Sequence, residues 1–150
     1  MKLFSLILVA STAITMACSS SVHRQKSPFT VTETDQGIEL SENGRSVLAY
    51  QKKPKTLTGQ YICNNYIHPL YNLNGDIITE EFPPDHQYHR GIFWAWHQLY
   101  EGERRLGDGW TNDSISQEVV KTSSDLRDDI AQFKLYVLWR SSVSEDGKPF

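Results

Sequence analysis

The segment from Asp85 to His97 gathers the side chains of this sequence that are best suited to chemistry. It contains three of the five histidines and two of the four tryptophans in a chain of 150 residues, together with one arginine. An imidazole can bind a metal ion or act as a general base near neutral pH. A guanidinium can grip a carboxylate or phosphate, and an indole offers a flat face to a sugar ring. The segment is therefore the candidate functional site.

Four residues of this segment form a candidate catalytic group: Asp85, His86, His89 and Arg90. In this interpretation His86 or His89 transfers a proton, and Arg90 holds a carboxylate or hydroxyl group of the ligand. The pair Pro83-Pro84 just upstream predicts that the group lies on a loop, because proline restricts its own backbone and that of the preceding residue.

The same histidines could instead bind a divalent metal ion. Imidazole and carboxylate groups suit zinc, iron, copper or manganese, so His86 and His89 are candidate metal ligands, with Asp85 or His68 completing the shell. Side chains three positions apart point to opposite faces of a regular strand, whereas a loop allows them to converge. The sequence does not identify a metal, and the cofactor stays open.

A purely structural interpretation competes with both of these. His86 and His89 can hydrogen-bond to neighbouring backbone and order the loop without taking part in chemistry. For Arg90 the structural alternative is a salt bridge to Asp85 or Glu81. The sequence leaves the three interpretations open.

A candidate ligand-binding surface follows the loop and comprises Trp94, Trp96 and His97, with His68 as a further member. A strand over residues 92–96 would place Trp94 and Trp96 on the same face, because their spacing is two. That face either packs in the core, as aromatic residues of β domains commonly do, or stacks on a sugar ring. We expect His97 at an exposed strand end, and His68, which precedes a proline, at a turn or strand end.

The elements that must position these residues are predicted to be strands. Short runs of β-branched and aromatic residues alternate with polar ones, and Asn43-Gly44 and Asn74-Gly75 are typical of tight hairpin turns. A helical turn is allowed only over residues 124–131. The predicted fold is an all-β, antiparallel, sandwich-like domain over residues 29–150. Its predicted strands are 29–34, 37–40, 46–50, 66–71, 77–79, 92–96 and 132–140.

The last residues carry a hairpin signal without a following strand. Asp146-Gly147 comes after the longest predicted strand, and the chain stops at Phe150. A strand without its hairpin partner leaves an unpaired edge, which natural sheets avoid. We therefore expect an incomplete domain, the N-terminal part of a longer one, and a non-functional truncated copy is one alternative.

The N-terminus reads as an export signal. An apolar run over residues 3–17 follows Lys2 and is shorter than the roughly 20 residues that a membrane-spanning helix needs. Thr15-Met16-Ala17-Cys18 resembles the lipobox of bacterial lipoproteins, which predicts a signal peptide over residues 1–17, lipidation of Cys18 and a tether over residues 18–28. Ordinary cleavage nearby is the alternative. The expected location is the periplasm or the outer membrane, with the lipid as the membrane contact.

Composition excludes some partners and leaves one cysteine unpaired. The 18 acidic and 15 basic residues give a net charge of −3 without a basic run, so nucleic acid is not an expected partner. If Cys18 carries lipid, Cys63 has no partner for a disulfide. We expect Cys63 to be a small buried apolar residue, with a catalytic thiol as the lesser alternative.

Three ordered blocks carry a resemblance to a known family. They are Tyr66-Ile67-His68-Pro69-Leu70-Tyr71, Gly75-Asp76-Ile77-Ile78-Thr79, and the segment that begins Phe82-Pro83-Pro84-Asp85-His86 and ends Trp94-Ala95-Trp96. Over about residues 61–110 the chain resembles secreted bacterial proteins of unknown function labelled PmoA, or methane oxygenase PmoA. In that family the motif commonly reads Asp-His-x-His-His-Arg, so Tyr88 stands here where a histidine is common.

The resemblance implies an exported or lipid-anchored β protein that accompanies carbohydrate-degrading systems. We expect a small-molecule or glycan ligand at the His86 to Arg90 loop, bound either by an enzyme or by a non-catalytic binding lipoprotein. Methane oxidation is not expected, because the chain lacks an apolar stretch of about 18 residues or more that could span a bilayer.

Overall fold

Strands are the regular elements of the described part of the chain. The computed structural model describes residues 27–94, 96–144 and 146–150, so the predicted signal peptide, Cys18 and most of the predicted tether lie outside it. The described strands are β1 (Phe29–Glu33), β2 (Gly37–Glu42), β3 (Arg45–Gln51), β4 (Tyr66–Leu70), β5 (Ile92–Phe93), β6 (Leu99–Glu101), β7 (Arg104–Gly107), β8 (Ile115–Leu126) and β9 (Ala131–Ser141). All pairings are antiparallel, which confirms the predicted all-β, sandwich-like class. Among these residues no helix is long and apolar enough to cross a bilayer.

The first five strands form one sheet whose spatial order follows the chain, β1-β2-β3-β4-β5. The predicted turn between β2 and β3 is present, since Asn43 and Gly44 have φ angles of 49° and 78°. Positive φ at both central residues suits the right-handed twist of the flanking strands. Ile38 pairs with Tyr50 and Leu40 with Leu48 across this hairpin.

The second predicted turn forms, but the strand expected after it does not. Asn72 Oδ1 accepts hydrogen bonds from the backbone N–H groups of Asn74 and Asp76, both at 2.9 Å. Gly75 has a φ of 91°. Beyond the turn, residues 77–79 make a single bridge, between Ile77 and Tyr71, because the chain then leaves the sheet toward the prolines.

The helical turn predicted over residues 124–131 is wrong. Residues up to Leu126 complete β8, a short turn follows in which Arg127 N–H donates to Ile130 O at 2.8 Å, and Ala131 begins β9. The predicted strand over residues 132–140 is confirmed as most of β9. Its partner β8 escaped prediction because polar Gln117 occupies a buried position between Ile115 and Val119, which hides the alternation of apolar residues.

A buried polar network joins the β8-β9 hairpin to the five-stranded sheet. Tyr50 Oη donates to Asn65 Oδ1 at 2.6 Å, and Asn65 Nδ2 donates to Gln117 Oε1 at 2.6 Å. Asn64 Nδ2 also donates to Gln117 O at 3.0 Å. Each buried amide therefore has partners, as a stable polar interior requires.

Cys63 lies in the core with Tyr66 and Phe82, as predicted. Burial raises the pKa of its thiol to about 11. The folded protein thus holds the neutral thiol, and this contribution to stability is present below the thiol's ordinary pKa of about 8.5 and is lost as pH rises through about 11.

We expect the Cys63 thiol to resist alkylation in the folded protein. At pH 8 with iodoacetamide, the peptide that contains Cys63 should remain unmodified in native protein and be modified fully in denaturant, because the thiolate is the reactive form. Mass spectrometry of that peptide measures the difference. Rapid modification of native protein would contradict the buried position and favour the catalytic-thiol alternative.

Candidate functional site

The predicted loop around the histidines is confirmed and is closed at its base. We call residues 82–90 the histidine loop. Glu81 and Arg90 form an antiparallel bridge, and Gly91 N–H donates to Glu80 O at 2.8 Å. Within the loop, His86 N–H donates to Pro83 O at 3.1 Å and His89 N–H donates to His86 O at 2.8 Å. The backbone thus folds into two successive turns after the prolines.

The histidine loop brings His86 and His89 together as a stack. Their ring centroids lie 4.9 Å apart and the ring planes differ by 9°. Ring-nitrogen lone pairs lie in the ring planes, so nearly parallel stacked rings do not direct them at a common point. In the described residues, no three His, Cys, Asp or Glu side chains are grouped so as to hold a metal ion. This arrangement suits hydrogen bonding or proton transfer better than shared metal binding.

Asp85 is paired with His86 but lies at the surface. Asp85 Oδ2 is 2.9 Å from His86 Nδ1, and the Asp85 side chain is 77% exposed. The hydrogen bond with His86 holds the pKa of the Asp85 carboxyl below its ordinary value. Since water surrounds the carboxylate, it fixes the orientation of the His86 ring only weakly.

Tyr88 packs among the aromatic rings of the histidine loop. Its ring meets the rings of Tyr61, His86 and His89 edge to face, with centroid distances of 5.7, 5.7 and 4.7 Å. Edge-to-face pairs at these distances are favourable. Tyr88 therefore contributes to the packing that holds the two histidine rings.

Arg90 is only 1% exposed, and the salt bridge to Asp85 or Glu81 predicted as its structural alternative does not form. Its role in holding a group of the ligand stays a prediction. The Nη1 atom of its guanidinium donates hydrogen bonds to Tyr88 O at 2.8 Å and to Trp110 O at 3.1 Å. Within the described residues Nε has no partner. Burial lowers the pKa of the guanidinium.

Two more contacts complete the surroundings of the Arg90 guanidinium. Nη2 donates to Asn112 Oδ1 at 3.3 Å, and the guanidinium carbon lies 4.1 Å from the centre of the Phe93 ring. Arg90 thereby ties the histidine loop to the segment that contains Trp110, and its charge underlies the surface between them.

An open cleft lies between the histidine loop and Trp110. Its volume is about 360 Å³, at the lower end of the range of roughly 300–1,000 Å³ that is usual for small-molecule sites. The lining residues are Glu80, Pro83, His89, Arg90, Gly91, Phe93 and Trp110. The cleft combines a carboxylate, an imidazole and an aromatic face above a buried cation.

The other predicted ligand-binding residues lie outside this cleft lining. His68 is half-buried on β4, and its Nδ1 is 3.0 Å from Thr79 Oγ1. The predicted strand over residues 92–96 ends at Phe93, after which the chain leaves the sheet. The core position favoured for the tryptophans is wrong, because Trp94 and Trp96 are 61% and 59% exposed.

His97 is exposed, as expected, and has a buried partner that the sequence did not reveal. His97 Nδ1 contacts Asp108 Oδ2, and the side chains are 65% and 6% exposed, respectively. Asp108 Oδ1 accepts the backbone N–H groups of Trp110 at 2.8 Å and Thr111 at 3.2 Å. From sequence, Gly107-Asp108-Gly109-Trp110 indicated a tight loop and no more.

Three residues of these sites were thus missed: Glu80, Asp108 and Trp110. Glu80 reads in sequence as one of two solvated carboxylates, whereas its neighbour Glu81 is largely buried and accepts a hydrogen bond from Tyr66 Oη at 2.5 Å. The only signal for the other two was an aspartate between two glycines, with a tryptophan directly after them, which is a pattern common in surface turns.

Comparison with known families places most of this chain in one of them. A family model described as "Family of unknown function (DUF6807)" matches residues 37–148. The matched range includes the histidine loop, the cleft and the pair of His97 with Asp108. Searches of curated proteins and of solved structures found no match.

Proposed function

Because the chain belongs to the DUF6807 family, whose function is unknown, we propose its function from its site. We propose that it binds a carbohydrate-type ligand in the cleft between the histidine loop and Trp110. The observation that carries this proposal is the combination, in one open cleft, of Trp110 with the polar groups of His89 and Glu80.

These three groups match the needs of a sugar ring. The Trp110 indole is partly exposed and can lie against the C–H face of the ring. The imidazole of His89 can donate a hydrogen bond to a sugar hydroxyl group or accept one from it, and the carboxylate of Glu80 can accept one. His89 lies against both His86 and Trp110, at centroid distances of 4.9 and 5.8 Å, so its ring is held in place. Small-molecule sites are usually built in this way, from an aromatic wall and a few fixed polar groups.

The charge of Arg90 adds a preference within this ligand class. Arg90 is among the residues that line the cleft, and the hydrogen bonds that its guanidinium donates go to neutral oxygen atoms. A buried cation that is not neutralised by a carboxylate attracts electron-rich groups above it. Uronic acids and other sugars with a carboxylate are therefore the preferred ligands of the proposal.

The proposal also includes the cellular setting. The N-terminal pattern and the resemblance to the PmoA-labelled proteins support an exported lipoprotein, anchored through Cys18, that works beside carbohydrate-degrading systems. Whether ligand binding leads to turnover by His86 or His89, or serves binding alone, is decided by assay. Loss of turnover in His86→Ala or His89→Ala with folding intact would identify an enzyme.

We expect Trp110→Ala and His89→Ala to weaken sugar binding by about tenfold or more, which equals about 1.4 kcal/mol. Isothermal titration calorimetry with galacturonate, glucuronate, cellobiose and xylobiose measures the affinity. Tyr136→Ala is the matched control, because it removes an exposed aromatic ring on β9, away from the cleft.

The same titration tests the second candidate surface. Trp94 and Trp96 form an exposed pair with ring centroids 6.1 Å apart, which could also stack on a sugar. If Trp94→Ala and Trp96→Ala abolish binding while Trp110→Ala does not, the ligand lies on that pair and the cleft proposal is wrong. Absence of binding to every probe would also count against it.

A further inference from the structure

The pair of His97 and Asp108 joins an exposed imidazole to a buried carboxylate. Asp108 Oδ1 accepts hydrogen bonds from two backbone N–H groups, those of Trp110 and Thr111, so the carboxylate is fixed in place. Its second oxygen, Oδ2, faces His97 Nδ1. The pair therefore differs from an ordinary surface ion pair in that one partner cannot rotate away.

This contact decides which nitrogen of His97 carries the proton. An ionised carboxylate only accepts hydrogen bonds, so in the neutral ring Nδ1 holds the hydrogen and Nε2 keeps its lone pair. A buried carboxylate on Nδ1 of a histidine is the arrangement that orients a general base and stabilises the imidazolium formed when the base takes a proton.

The backbone on both sides of the pair is also held. Gly109 N–H donates to Trp96 O at 2.9 Å, which fastens the residue before His97 to the residue after Asp108. Gly109 lies so close to Trp139 that an added Cβ would be 3.2 Å from its ring. The two segments therefore approach closely and hold His97 opposite Asp108.

Trp96, the residue before His97 in the chain, belongs to an exposed aromatic surface. The Trp96 ring lies 6.1 Å from that of Trp94 and 5.9 Å from that of Trp139. Indoles exposed to this extent offer flat apolar faces to a ring-shaped ligand. A ligand resting there would be next to an oriented base.

The His86 and Asp85 pair provides an internal comparison. It also joins a histidine Nδ1 to an aspartate, at 2.9 Å, but its carboxylate is the exposed partner. Because an exposed carboxylate exchanges its hydrogen bond with water, it holds the ring orientation poorly. Of these two pairs, the one at His97 therefore holds its imidazole in the more fixed orientation.

We infer that His97 and Asp108 form a proton-transfer site that acts on acyl esters whose alcohol part is a flat ring held on the tryptophan surface. His97 Nε2 takes a proton from water while the water oxygen bonds to the acyl carbon. The bond from the acyl carbon to the alcohol oxygen then breaks, and the proton passes from Nε2 to the departing alcohol. The products are a carboxylic acid and the free alcohol. Asp108 is a positioning residue in this step.

The site does not rest on the cleft proposal, since its residues and its ligand surface are different. Its test therefore uses a separate probe, 4-nitrophenyl acetate, with the full chain. We expect His97→Asn to lower the hydrolysis rate by roughly 10²-fold, the contribution of a general base. Asparagine can still donate a hydrogen bond to Asp108, so the loop keeps its contact while the base is lost.

Asp108→Asn tests the positioning role. The asparagine keeps an oxygen for the Trp110 and Thr111 N–H groups, but its amide donates toward His97 and forces the ring hydrogen onto Nε2. We expect a loss similar to that of His97→Asn and, in ¹⁵N NMR spectra of the histidine ring, a change from the Nδ1–H to the Nε2–H tautomer. Asp113→Asn is the control, because it removes an exposed carboxylate of the same loop.

The tautomer measurement stays informative even where a variant loses activity through unfolding, because it is made first on the unmodified protein. An Nε2–H tautomer for His97 in that protein overturns the inference. Equal hydrolysis rates for the unmodified protein and His97→Asn overturn it as well, as does a loss in Asp113→Asn that matches the loss in Asp108→Asn.

Discussion

Replacement of Arg90 by methionine is expected to lower the free energy of unfolding by about 3 to 5 kcal/mol, because three partly buried acceptors lose their donor at once. Those acceptors are the carbonyl oxygens of Tyr88 and Trp110 and the side-chain oxygen of Asn112. Methionine carries no charge, so the variant avoids the cost of burying one. That cost is the reason that burial lowers the pKa of Arg90. Each orphaned acceptor costs about 1 to 3 kcal/mol, and their sum outweighs that gain.

Urea unfolding followed by circular dichroism measures this change, with Arg127→Met as the matched control. Arg127 is an exposed arginine whose side chain pairs with Asp125, so its replacement should change stability by about 0.5 kcal/mol or less. Arg90→Lys should fall between the two, since one ammonium group lacks the fixed fork that reaches several acceptors. A loss for Arg90→Met no greater than that for Arg127→Met would mean that the guanidinium is not buried as described.

Replacement of Gly91 by alanine is expected to cost more than about 3 kcal/mol and to displace the histidine loop. A Cβ at this position would overlap the carbonyl oxygen of Ile67 and lie 3.1 Å from His68 Cβ. The obstacle is backbone of β4, which cannot swing aside as a flexible side chain can. The φ angle of 49° adds about 1 to 2 kcal/mol for any residue with a side chain.

Gly102→Ala separates the two causes of that loss. Gly102 has a similar φ angle, 61°, but an added Cβ would meet no atom within 4 Å. Its replacement should therefore cost only the conformational part, about 1 to 2 kcal/mol. If thermal unfolding shows equal losses for Gly91→Ala and Gly102→Ala, then the close approach of Gly91 to β4 is not a constraint on the loop.

Arg90 and Gly91 together hold the histidine loop against the rest of the domain. Gly91 lets the chain press against β4, and Arg90 ties the loop to the Trp110 segment across the floor of the cleft. The loop is thus fixed at its exit while His86 remains at the surface. Both residues shape the proposed ligand site, and Arg90 also supplies its charge. A variant of either residue would change folding and binding together, so these variants are unsuitable as probes of ligand chemistry.

Local sequence signals predicted the parts of the fold that depend on neighbours in the chain. Asn43-Gly44 set the hairpin between β2 and β3, and the alternation from Phe133 to Trp139 set β9. Gln117 shows where such signals fail. Its burial depends on a hydrogen bond from Asn65, 52 positions away, so a strand that looks polar in sequence is in fact half-buried.

The site shows the same limit more strongly. The sequence marked the right segment and predicted a loop from Pro83-Pro84, but it could not tell that Arg90 points inward and Trp94 outward. The inward position of Arg90 is set by its contact with Trp110, 20 positions further along the chain. Asp108 was invisible as a partner of His97 because no local pattern distinguishes an aspartate that caps a turn from one that also orients a histidine.

The sequential order of the five-stranded sheet bears on how this protein folds. Each pairing in that sheet joins strands that follow one another in the chain, so each closes a comparatively short loop. The contact of Glu33 with Thr122, in contrast, spans 89 positions and joins the sheet to the β8-β9 hairpin. Closing a long loop costs conformational entropy before the contacts that compensate for it have formed. We therefore expect the hairpins to assemble early and the docking of β8 on the sheet to set the folding rate.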